Sequence, residues 1–101
     1  MRRAARVDNV QAAMVADLEQ MGFSVALTFQ IGEGFVDLVC GRGGIDILLE
    51  IKNGPKYKLT PAQIKAHAEW RGSPILIAWS SEMVLTEWLR RAKLDVGLFQ
   101  G

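Results

Sequence analysis

The run Phe35-Val36-Asp37-Leu38-Val39-Cys40-Gly41-Arg42-Gly43-Gly44-Ile45-Asp46-Ile47-Leu48-Leu49-Glu50-Ile51-Lys52 decides how this chain is read. Residues 35–41 and 45–52 have the apolar character of two strands. The glycine-rich turn between them suits positive φ, so the pair reads as a hairpin. A two-residue loop sets Asp37 opposite Leu48 and diagonal to Glu50; a four-residue loop sets it opposite Glu50. Either register leaves both carboxylates on one face, because strand side chains alternate with period two. Opposed Cβ atoms lie ~4.5–5.5 Å apart and diagonal ones ~7–8 Å. Two such carboxylates repel, more strongly when desolvated, and a divalent cation would relieve the repulsion.

The opposing interpretation is a solvated strand face on which Glu50 and Lys52 form a weak ion pair. Against it, Ile45, Ile47, Leu48, Leu49 and Ile51 give the second strand apolar residues on both faces. That pattern predicts a central strand, where charge is costly unless paired or metal-bound. Asp46 shares the face of Glu50 but lies ~13 Å along the strand, too far to share one ion, and reads as an ordinary charge near the turn.

The 101 residues amount to a single domain, residues 1–101, and half of them are hydrophobic. A domain this small often gains stability by dimerising. No apolar stretch approaches the ~20 residues of a membrane span. The basic start, Met1 to Arg6, is not followed by a signal-peptide core. The lone Cys40 excludes an internal disulfide and reads as a small core residue, which points to the cytosol. Net charge is only +1, but its distribution is uneven. From Lys52 to Arg71 the bases Lys52, Lys56, Lys58, Lys65 and Arg71 face the single acid Glu69. Bases beside an acidic, metal-competent site suit a polyanionic substrate.

Outward from the hairpin, a first helix is expected from about Asp8 to Met21, with Asp8 and Gln11 as a capping box and Gly22 as the stop. Ser24 to Gln30 reads as a strand, followed by a turn at Gly32-Glu33-Gly34. Thr60-Pro61-Ala62-Gln63 opens a second helix that ends near Gly72. Pro74 to Trp79 is a buried strand. Ser80-Ser81 caps a third helix through about Arg91, and residues 93–101 form a tail in which Val96, Leu98 and Phe99 pack on the body or on a partner. The order α-β-β-β-α-β-α predicts a mixed sheet of the α/β or α+β class, with the fourth strand joining centrally and parallel to one neighbour.

An aspartate on one strand and Glu-x-Lys on the next, in this order, resembles the PD-(D/E)XK nuclease superfamily with its restriction-endonuclease-like core. The whole pattern is similar to the small phage and bacterial VRR-NUC proteins, the virus-type replication-repair nucleases. It rests on Asp8-Asn9-Val10-Gln11, Gly34 to Val39, Leu49 to Gly54, Leu59-Thr60-Pro61-Ala62-Gln63 with His67, and Trp70-Arg71-Gly72, over residues 3 to about 90. The resemblance implies a metal-dependent DNA endonuclease. Asp37, Glu50 and the carbonyl of Ile51 would hold Mg²⁺ or Mn²⁺. Lys52 would orient or activate the attacking water, and Gln63 would line the site. It further implies a homodimer acting on branched DNA such as Holliday junctions, in the cytoplasm of a bacterial or phage-infected cell and associated with its nucleoid.

Two positions depart from the family pattern. Val36 replaces the usual proline, and Gln11 stands where many relatives place a metal-binding glutamate. An amide ligates more weakly than a carboxylate, which raises a rival reading: a nuclease-fold DNA-binding module with weak or no cleavage. A subunit that needs a partner is the third. Lys56, Lys58, Lys65 and Arg42 are the expected DNA contacts. Tyr57 either stacks on a base or anchors its loop. Gln63 equally fits a capping box with Thr60, and a lone helix histidine such as His67 reads first as packing or surface.

Overall fold

The computed structural model describes the backbone of residues 2–100 and the side chains of residues 10–94. Helix α1 (Arg2–Gln20) leads to strand β1 (Ser24–Leu27) and a 3₁₀ turn (Phe29–Ile31). Strands β2 (Leu38–Arg42) and β3 (Ile45–Ile51) follow, then α2 (Pro61–Glu69), β4 (Ile75–Ala78) and α3 (Ser81–Gln100). The α-β-β-β-α-β-α order expected from the sequence is the order found, in a mixed α+β fold.

The sheet runs β1-β2-β3-β4. β1, β2 and β3 form an antiparallel meander, and β4 lies parallel to β3 after the α2 crossover. The expectation that β4 sits centrally is corrected. Both edges of β2 are already taken, by β1 and β3, so β4 has only the free edge of β3. It is β3 that is central, as its two-sided apolar pattern predicts.

The hairpin register takes the second of the two placements expected for Asp37, opposite Glu50, but with the shorter loop. Arg42 pairs with Ile45 across a two-residue loop, Gly43-Gly44, whose φ values are +59° and +80°. Two successive positive φ angles are the signature of the turn that matches strand twist, and glycine adopts them at least cost. Leu38 pairs with Leu49, so Asp37, one residue beyond the ladder, falls beside Glu50 and not opposite Leu48.

Alternation then sorts the layers. Leu38, Cys40, Ile47, Leu49, Ile51 and Ala78 pack with Met14 and Leu18 of α1 and Val84 of α3 to form the core. Glu50 points to the other face, where α2 crosses. α2 has no buried residue, so it is held mainly by its ends and by polar contacts. At its N-terminal end Gly34, with φ +81°, lies against the carbonyl of Ala62, and a Cβ at residue 34 would overlap that carbonyl. At its C-terminal end Trp70 packs on Phe35, ring centroids 5.5 Å apart.

Several element boundaries move. α1 begins at Arg2, so Asp8 lies within the helix and is not its cap; the Arg/Ala-rich start carries the helix backwards. β1 ends at Leu27, where Thr28 turns into the 3₁₀ segment. α2 stops at Glu69. α3 runs on to Gln100 in place of the expected tail, since Arg90 to Lys93 are good helix formers; the packing of Val96, Leu98 and Phe99 lies outside the described side chains. Among the described residues no helix is long and apolar enough to cross a membrane.

Candidate active site

Asp37 stands at the entry to β2, one residue before the regular ladder. Its amide donates to the Leu49 carbonyl (3.0 Å) and its carbonyl accepts from Thr28 (2.9 Å). Its Oδ2 accepts from the Ile51 amide at 2.7 Å. The side chain thus supplies the acceptor that the β2 main chain no longer offers, a competition typical of aspartate at strand ends. The Thr28 hydroxyl, bonded to the Val36 carbonyl at 2.8 Å, buttresses the approach.

Glu50 is 1% exposed, the most deeply buried charged residue described. Burial pushes its carboxyl up to about 8, and the adjacent Asp37 charge pushes in the same direction, while Lys52 pulls it down. Its two oxygens are held by α2. Gln63 Nε2 donates to Oε2 at 3.0 Å, and His67 Nε2 lies 3.3 Å from Oε1. Burial and the Lys52 charge hold His67 below the ordinary histidine range. At neutral pH the Glu50–His67 contact is therefore a hydrogen bond in which the imidazole is uncharged, not a pair of full ions.

Gln63 connects the site. Its Oε1 accepts from Lys52 Nζ (2.9 Å) and from the Thr60 amide (2.9 Å), while the Thr60 hydroxyl accepts from the Gln63 amide (3.1 Å). Two donors converge on one end of the side chain and a carboxylate meets the other, which fixes the orientation of the amide. The capping role and the site role are both realised by one side chain. The cap holds the first turn of α2 in place, and that turn holds Lys52 to Glu50.

Of the residues singled out in the sequence, Asp37, Glu50, Lys52 and Gln63 converge. The Ile51 peptide is tied to Asp37. Lys56 and Lys58 continue from Lys52 around one cavity. Lys65 does not join: it is exposed and paired with Glu69 at 3.6 Å. Arg42 lies at the opposite end of the hairpin, its guanidinium 4.5 Å from the centroid of Trp88 and 5.8 Å from that of Phe23. Gln11 is buried beside Leu27 and Phe29, and its Oε1 has no hydrogen-bond partner. His67 is the residue that sequence reasoning set too low. The signal was there: four residues after Gln63, it falls on the same helical face.

A buried carboxylate with a raised pKa beside a second, half-buried one is a donor set suited to a hard divalent cation. Mg²⁺ takes one or two carboxylates and keeps water in its remaining positions. Among the described residues no three His, Cys, Asp or Glu side chains gather at one point, so the acidic donors here are two. Asp37 and Glu50 fit that requirement. Compared with protein-family models, with curated proteins and with solved structures, the chain finds no match in any of the three.

Proposed function

We propose that this protein is a metal-dependent endonuclease that hydrolyses phosphodiester bonds in DNA, on a core of the PD-(D/E)XK type and of the virus-type replication-repair nuclease kind. The observation that carries the proposal is the convergence of Asp37, Glu50 and Lys52, with Gln63 bonded to both Glu50 and Lys52. An ordinary surface ion pair needs no such arrangement: neither burial of the glutamate nor a bridging amide between it and the lysine.

Asp37, Glu50 and the Ile51 carbonyl would hold Mg²⁺ or Mn²⁺, and the chemistry such an ion supplies is polarisation of the phosphoryl oxygen. Lys52 would stand beside the reacting phosphate. From the end of β3 its ammonium orients the attacking water and stabilises negative charge as it develops. The water oxygen would bond to phosphorus as the P–O ester bond breaks, that water losing one proton to solvent and the leaving oxygen taking one from solvent, so that a phosphomonoester and an alcohol result. Gln63 holds Lys52 at a fixed position relative to Glu50, which limits the reorganisation needed during reaction. Branched DNA is the proposed substrate, and a homodimer with paired sites would match two symmetric cuts.

The direct test is Asp37→Asn. The amide keeps an oxygen to accept from the Ile51 amide but removes the charge. Cleavage should fall by orders of magnitude with Mg²⁺ while the protein stays folded; wild-type cleavage by Asp37→Asn would defeat the assignment.

A second reading, a DNA-binding module without cleavage, draws on Gln11: its neutral side chain lies beside Leu27 and Phe29 and adds no third carboxylate. Under that reading DNA binding persists in EDTA and Mg²⁺-dependent nicks are absent.

A further inference from the structure

The segment that leaves β3 curls around a cavity of about 590 Å³, lined by the continuous run from Lys52 to Lys58. Its chemistry is one-sided. Lys52, Lys56 and Lys58 all border it, and the chain carries no acid between Ile51 and Ala68. Among the described residues none of these three lysines makes an ion pair; the ion pairs involve Lys65, His67, Arg90 and Arg91. Tyr57, on the same wall, is 38% exposed. Its ring lies 6.0 Å from that of Trp79, with 41° between the planes. Trp79 directly follows β4, whose last residue, Ala78, accepts from the Lys52 amide at 3.0 Å. The aromatic pair is therefore anchored to the sheet at the point where Lys52 leaves it.

A partly exposed aromatic face amid unpaired cations is the composition of a single-strand platform. The ring stacks on a base of any sequence, and lysines follow the phosphates. A base within duplex DNA has both faces covered by its neighbours and cannot use such a ring. We propose that this cavity receives an unpaired nucleotide next to the scissile phosphate, its base on Tyr57 and its flanking phosphates on Lys56 and Lys58. DNA that exposes single-stranded nucleotides at the cut, as flaps and gapped branch points do, is then held more tightly than fully paired DNA. The location beside the cut rests on the nuclease reading above; the single-strand site itself does not.

The test is binding of the full chain to labelled oligothymidylate in EDTA, so that no cleavage intervenes. Three competitors of equal length are compared: a duplex, an abasic strand with the same phosphates but no bases, and oligothymidylate itself. Wild-type protein should bind oligothymidylate about tenfold more tightly than the abasic strand. Tyr57→Ala should remove that difference and Tyr57→Phe should keep it, with duplex binding unchanged in both. Lys56→Ala with Lys58→Ala should lower the salt dependence of single-strand binding by about 1.4 in log–log slope. Equal wild-type affinity for the abasic strand and oligothymidylate overturns the proposal even if Tyr57→Ala fails to fold, and so does an equal loss on duplex and single strand. Mg²⁺-dependent cleavage without base-dependent binding removes this inference alone; base-dependent binding without cleavage in any metal keeps it and removes the nuclease reading.

Discussion

Gln63 Nε2 donates to Glu50 Oε2 at 3.0 Å, across 13 residues of chain, from a helix that buries none of its own side chains. The contact joins two functions that sequence reasoning treats as alternatives. As the N3 residue of α2, Gln63 closes a capping box with Thr60; as a site residue, it spans Glu50 and Lys52.

Separating those functions is therefore a matter of comparing two substitutions. Thr60→Ala removes the hydroxyl that caps the helix and should cost about 1 kcal/mol of stability while leaving the Lys52 and Glu50 contacts available. Gln63→Ala keeps the bond from its backbone amide to the Thr60 hydroxyl but removes the return bond from the Thr60 amide and also both site contacts. It should cost more in stability and lower cleavage by at least tenfold. Equal cleavage by the two variants, measured beside their denaturant midpoints, would show that the Gln63 contacts to Lys52 and Glu50 are not used.

Gly34 positions the same helix from outside. Alanine there faces a positive φ and the carbonyl of Ala62 together. The substitution should destabilise by on the order of 2 kcal/mol or more, and because it pushes on the first turn of α2 it should also lower cleavage. Thermal unfolding and cleavage measured on one preparation check both effects.

Glu50 makes stability depend on pH in a direction unusual for a carboxylate. Its pKa rises from 4.5 in the unfolded chain to about 8 in the folded one. Between these values the folded protein holds a proton that the unfolded chain has lost, so stability falls as pH rises through that window. His67 works in the opposite sense, but only below its ordinary value of 6.5. From pH 6.5 to 8 His67 no longer opposes Glu50, and denaturation without divalent ions should show a decline on the order of a kcal/mol or more. Asp37→Asn removes one cause of the raised pKa and should flatten the decline. Mg²⁺ should oppose it as well, by favouring the ionised carboxylate.

Much of this was legible in the residues. The element order followed from Gly, Pro and Thr at the right places, and the centrality of β3 from apolar residues on both of its faces. Asp37, Glu50, Lys52 and Gln63 stand out together in the sequence, and the structure brings them together. What the sequence hid was tertiary. The residues leave two placements of Asp37 open, and only the pairing of Arg42 with Ile45 across Gly43-Gly44 sets it beside Glu50. Arg42 looked like a base near the site, but the hairpin carries it to the far end, over Trp88. His67 was visible at the correct helical spacing, yet only the burial of Glu50 gives it a partner.

Cys40 offers a check on the packing that is independent of the site. It is fully buried between β1 and β3, and burial raises its thiol to about 11. A thiol-specific reagent should leave it untouched in the native protein at neutral pH and titrate one thiol after denaturation. Rapid labelling of the native protein would mean that the sheet opens far more readily than this core implies.

The most direct measurement is cleavage of labelled DNA by the purified chain: a four-way junction, a flap and a linear duplex, each with Mg²⁺, Mn²⁺ or EDTA, beside Lys52→Ala. The proposed nuclease activity predicts cuts on the branched substrates that need the metal and disappear with Lys52→Ala, although that variant remains folded. Tight binding with no cuts in either metal, or cuts that survive in Lys52→Ala, would contradict it.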